Sequence, residues 1–107
     1  MAYYLVQASY GAPAIGAMVK HPQDRAAAIR PLLEKMGGRL HGMWFTLGEH
    51  DLVAIAEMPD ATTAAAFAMA VGASGAMASY RTTPLLTMDE AVAAMKKAGG
   101  LAYTAPQ

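Results

Sequence analysis

The tightest constraint on the fold lies mid-chain, where Phe45–Glu57 reads FTLGEHDLVAIAE. Two β-forming runs, Arg39–Leu47 and Leu52–Met58, flank a short polar tract that begins at Gly48. Strand, turn and strand at such short range demand an antiparallel hairpin. With Glu49 and His50 as the turn residues, Gly48 opposes Asp51 and Trp44 opposes Ile55. Side chains alternate across a strand. One face then carries His41, Met43, Phe45 and Leu47 beside Leu52, Ala54, Ala56 and Met58, a surface suited to packing under helices. The other carries Gly42, Trp44 and Thr46 beside Val53, Ile55 and Glu57, a mixed surface suited to an interface or a pocket.

The flanking segments complete a pattern around this hairpin. Tyr3–Ser9 is rich in β-formers and reads as a first strand, broken at Gly11–Pro13. Ala14–Lys20 reads as a short helix, interrupted at His21–Pro22. Asp24–Met36 reads as a second, with Ile29, Leu32, Leu33 and Met36 on one stripe, and Gly37–Gly38 as its stop. Pro31 cannot donate to the carbonyl of Ala27, so a kink or restart is expected there. Asp60 caps a third helix running to about Val71, with Ala64, Phe67, Ala68 and Val71 at helical spacing. Met77–Thr83 is a fourth strand, and Thr87–Glu90 a capping box before a helix over Ala91–Ala98. Leu101–Gln107 is a tail, expected to dock in part through Leu101 and Tyr103. The order β–α–β–β–α–β with an extra C-terminal helix is ferredoxin-like: an α+β domain with an antiparallel sheet and helices on one face. The bare face needs a cover, and a second sheet packed face to face in a dimer supplies one.

Composition supports that picture and narrows the partners. At 107 residues the chain is one domain with a modest core. Charged residues are 15%, against about 25% in typical soluble domains, while hydrophobic residues reach 55%. A small chain with that balance hides apolar surface in an oligomer. Eight basic and eight acidic residues, with no cluster beyond Lys96–Lys97, give no case for nucleic acid. Absence of cysteine removes disulfides and thiolate chemistry. The start, MAYYLVQASY, lacks a basic segment before an apolar core, and no apolar run approaches a membrane span, so a cytoplasmic protein is expected.

Several tracts, in order and at matching spacing, carry a resemblance: YLVQASY (Tyr4–Tyr10), EKMGGRLHGMWF (Glu34–Phe45), MWFTLGEHDLVAIAEMPD (Met43–Asp60) and RTTPLLTMDEA (Arg81–Ala91). Together they resemble the GYD domain family over almost the whole length. The resemblance implies a ferredoxin-like, dimeric α/β-barrel fold and supplies no activity. The family is named for a glycine–tyrosine–aspartate feature at the hairpin. Here the tract is Gly48-Glu49-His50-Asp51, so His50 stands at the usual tyrosine position. Trp44 stands where a tyrosine or similar aromatic is common, and Pro31 replaces an ordinary helical residue.

The candidate site follows from the mixed sheet face. Gln7 on the first strand, Trp44 and Thr46 on the second, and Glu57 on the third share it by alternation, and Arg81 on the fourth alternates with Tyr80. Glu57, a carboxylate near mid-sheet, needs a partner such as Arg81 or Arg39. His50 between two acids offers a proton carrier, although the tract reads first as turn chemistry. The three histidines lack metal-ligand spacing, Gly72–Gly75 lacks the features of a phosphate loop, and the methionines form no local cluster, so no metal or cofactor is expected. The expected function is binding of a small molecule in a pocket between the open sheet face and a partner subunit. The alternatives are an assembly module without a ligand and an isomerase- or monooxygenase-like enzyme.

Overall fold

The computed structural model describes all 107 residues. Its elements run β1 (Ala2–Tyr10), α1 (Ala12–Lys20), α2 (Arg25–Lys35), β2 (Arg39–Phe45), β3 (Leu52–Met58), α3 (Ala61–Ala73), β4 (Met77–Leu85) and α4 (Met88–Gly99). The four strands form one antiparallel sheet in the order β2-β3-β1-β4, so β2 and β4 are its edges. This is the expected α+β, ferredoxin-like arrangement. No helix is long and apolar enough to cross a membrane.

Local chemistry explains the element ends. Asp24 caps α2 by accepting from the amides of Ala26 at 2.9 Å and Ala27 at 3.3 Å. Asp60 does the same for α3 from the Thr63 amide at 2.7 Å. The capping box of α4 is complete: Thr87 Oγ1 accepts from the Glu90 amide, and Glu90 Oε1 accepts from the Thr87 amide. Helix α1 begins two residues earlier than expected, because a proline in the first turn lacks only an N–H that has no intrahelical partner anyway. Helix α2 continues through Pro31 without the expected restart. Pro31 and Ala27 are both exposed, so water can serve the carbonyl that the missing N–H leaves free. Strand β4 runs on to Leu85 through Pro84, which an edge strand tolerates.

The core is small. Nine of the 107 residues are buried, among them Tyr4, Leu33, Leu40, Leu52, Ala54, Ala56, Met58 and Ala64. These sit between the sheet and helices α2 and α3, with Ile29, Met36 and Phe67 packed against them. The opposite sheet face is bare within the chain. The expected docking of the tail does not occur: Leu101 and Tyr103 are 74% and 80% exposed.

The hairpin departs from the expected register. Trp44 opposes Val53 rather than Ile55, and Phe45 opposes Leu52. Strand β2 therefore ends at Phe45, and Thr46–Asp51 form a loop instead of a two-residue turn. A bulge between Leu40 and Gly42 inserts His41. The shift of two residues at the turn keeps Met43, Trp44 and Phe45 on their expected faces, since the side-chain period is two. The bulge changes the phase before it: Leu40 enters the core, and His41 leaves the helix-packed face for the open one.

Candidate functional site

The open face carries the predicted residues in two groups. Register places Trp44 beside Val53, Val53 beside Gln7, and Gln7 beside Arg81, one lateral row across all four strands. Trp44 is 56% exposed in this row. Its indole lies over Gly42, where a Cβ would collide with the ring. Glu57 belongs to a second group, about 13 Å along β3 from Val53 at strand rise. Its carboxylate meets His41 Nε2 at 2.9 Å, and Tyr3 lies against the same imidazole with ring centroids 5.3 Å apart. The expected arginine partner is not found: Arg39 opposes Glu57 in register, but the only side-chain contact the Glu57 carboxylate makes with a basic group is with the His41 imidazole. The bulge is the cause, because it delivers His41 to the place an arginine was expected to reach.

Thr46 and His50 do not join either group. Thr46 closes the hairpin loop, donating from its amide to the Asp51 carbonyl at 2.8 Å and from its hydroxyl to the His50 carbonyl. His50 is half-buried in that loop, and its Nδ1 is shielded with no hydrogen-bond partner. Asp51 Oδ2 accepts from the Tyr10 amide at 3.0 Å, and the Asp51 amide donates to the Ala8 carbonyl at 2.9 Å. The acid–histidine–acid tract thus fastens the loop to the end of β1. Glu57 lies about 20 Å along β3 from Asp51, so it and the loop cannot act on one small molecule. No group of three metal-ligating side chains exists in the chain.

A cavity of about 280 Å³ lies on the other side of the sheet, between it and helices α2 and α3. Small side chains create it: Ala54 and Ala56 of β3 face Ala64 and Ala70 of α3. Its wall is almost wholly apolar; Arg25, Ser74 and Thr82 are the polar exceptions, and Tyr4, Tyr10 and Tyr80 add phenol groups. Burial pushes the Tyr80 phenol up to about 12, against a smaller opposing effect of the Thr82 side chain. Burial also raises Tyr10; the Arg25 guanidinium pulls it back and Asp51 adds to the rise. Both phenols stay protonated at neutral pH and offer donors. Sequence reasoning missed this site because it followed Arg81 rather than Tyr80 along β4. The available signal was the pairing of ATTAAAFAMAVGA in α3 with LVAIAEM in β3, two alanine rows that cannot meet across a sheet–helix layer.

The family model described as the GYD domain matches residues 4–95. The chain is a GYD-domain protein. The match begins at Tyr4 within β1, takes in the other three strands and reaches Met95 within α4, so the cavity, most of the open face and most of the last helix lie inside the GYD domain. No curated protein and no solved structure matches the chain.

Proposed function

We propose that this GYD-domain protein is a homo-oligomeric binding protein for a small, mostly apolar molecule bearing a carbonyl or carboxylate. The observation that carries the reading is the cavity of about 280 Å³ beneath α2 and α3. It exceeds the voids of about 150 Å³ that remain dry in apolar cores and approaches the lower bound of small-molecule pockets, about 300 Å³. An acceptor oxygen answers the Tyr80 and Tyr10 hydroxyls and the Arg25 cation, and an apolar body answers the rest of the wall. Self-association is supported by the bare sheet face, where Trp44 stands exposed beside Val53, Ile55 and Leu5.

Isothermal calorimetry with a panel of small aromatic and branched ketones and carboxylates tests the ligand. The parent chain should bind at least one saturably. Ala64→Leu, which fills the cavity, should abolish that binding without lowering the thermal midpoint. A parent that binds nothing, with a raised midpoint in Ala64→Leu, would make the cavity a packing void and refute the reading. Light scattering at micromolar concentration should give at least twice the 11.2 kDa chain mass.

A second reading places the ligand on the open face, between the Trp44–Val53–Gln7–Arg81 row and a partner's sheet. The alignment of Gln7 directly beside Arg81 favours it, since the two supply donors for an anion. Trp44, the sole tryptophan, separates the two readings: a ligand on the open face changes its fluorescence, and one in the cavity does not.

A further inference from the structure

Helix α4 buries almost nothing within its own chain, although it is fully formed. The capping box closes its start, Asp89 and Glu90 lie in its first turn, and Lys96 and Lys97 lie in its last, all complementing the helix dipole. Met88, Ala91, Val92 and Met95 fall at i, i+3, i+4 and i+7; Glu90 and Lys97 fall on the opposite side, and Asp89 and Lys96 border the stripe beside Val92. Such a stripe normally faces a core. Here only Ala91 is even half-buried, and Met88 and Met95 are 77% and 68% exposed. Leu86 before the helix and Leu101 and Tyr103 after it extend the exposed apolar surface. A helix of 12 residues without tertiary contacts is marginal in water.

The area of the chain says what covers the stripe. The accessible surface is 7432 Å², whereas a compact monomer of 11.2 kDa exposes about 5,700 Å², an excess of about 1,700 Å². The radius of gyration is 17.2 Å, against about 13 Å for a compact domain of this length. Obligate homodimers cover roughly 1,000–2,500 Å² on each chain, so the excess is the amount such a dimer removes. Net charge is zero, and two copies approach without repulsion. Leu85, which ends β4, lies beside Tyr3 on the open face, so the stripe continues directly from the bare sheet.

We infer that α4, with Leu86 and the Leu101–Tyr103 segment, is an exchanged arm whose Met88–Val92–Met95 stripe docks on a second copy of this chain. The inference rests on the self-association proposed above and adds its means. Reciprocal docking uses the same surface on both copies and closes around a two-fold axis.

The test compares the full-length parent with the full-length double variant Val92→Asp/Met95→Asp by sedimentation across a dilution series. Both positions are exposed in the single chain, so the variant keeps its fold, which far-ultraviolet circular dichroism verifies. The parent should be dimeric, and the variant should dissociate with a Kd at least 100-fold higher. A variant that associates as tightly as the parent overturns the arm and leaves self-association standing. A parent that stays monomeric overturns both and returns the stripe to a partner of another kind. Hydrogen exchange gives a second measure on the unaltered chain. Protection of the α4 amides should rise with concentration, and fast exchange there in a dimeric sample would overturn the arm.

Discussion

The Trp44 indole occupies the space that a Cβ on Gly42 would need. Both residues lie on the open face of β2, so the glycine lets the largest side chain of the protein lie flat on the sheet instead of standing away from it. Gly42→Ala should lift the ring, alter its emission spectrum and roughen the bare face. Sedimentation equilibrium should then show association weakened about tenfold, equivalent to about 1.4 kcal/mol. Unchanged emission and unchanged association would mean that the ring does not depend on the glycine.

His41 and Glu57 form a partly exposed pair, and such pairs contribute little to stability. His41→Ala should lower urea stability by less than about 1 kcal/mol. A loss of several kcal/mol in a denaturation series would show instead that the bulge itself depends on the imidazole.

Asp51 is a stronger tie. Its carboxylate receives the Tyr10 amide, part-buried, from across the sheet. Asp51→Ala should cost roughly 1.5 kcal/mol or more, as for hydrogen bonds to charged groups. Asp51→Asn, which keeps an acceptor oxygen, should cost less. Chemical denaturation of the pair of variants checks the ranking.

Tyr80 sets an alkaline limit. Its folded pKa of about 12 stands above the ordinary 10.0, so the unfolded chain loses that proton first. The contribution is fully present below pH 10 and is lost as pH rises toward 12. After a discount for the ring's residual solvent contact, the loss is on the order of 2 kcal/mol. Thermal midpoints should fall across that window in the parent, and Tyr80→Phe should flatten the fall.

Much of the fold was legible because patterning acts locally. The Asp60 cap, the Thr87–Glu90 capping box and the alternation of β3 each follow from neighbours in sequence. The placement of Gln7, Trp44 and Glu57 on one face followed from the same alternation, whereas the choice of Arg81 over Tyr80 there came only from the register of β4 on β1. What was not legible depends on a count of one. A bulge at His41 leaves no compositional mark, yet it decides that Glu57 meets an imidazole rather than a guanidinium. The six-residue loop was hidden because Thr46 and Leu47 have β-forming side chains, while the hydrogen bonds that close it involve the Asp51 and His50 carbonyls. The cavity was hidden because it is set by what two alanine rows fail to fill, which only the packed layers reveal.

Pro84 on β4 and the contact between Arg30 and Leu40 on β2 bear on how far assembly can go. Pro84 lacks an N–H on one edge of the sheet, and the Arg30 guanidinium holds the Leu40 carbonyl on the edge strand at the other, at 2.7 Å. A strand from a neighbouring molecule therefore meets an incomplete ladder on either side. Copies associating as proposed would stack through the flat of the sheet and be hindered from lengthening it. Growth in that mode would stop at a finite particle, and the blunted edges keep a chain that is 55% hydrophobic from extending into a ribbon.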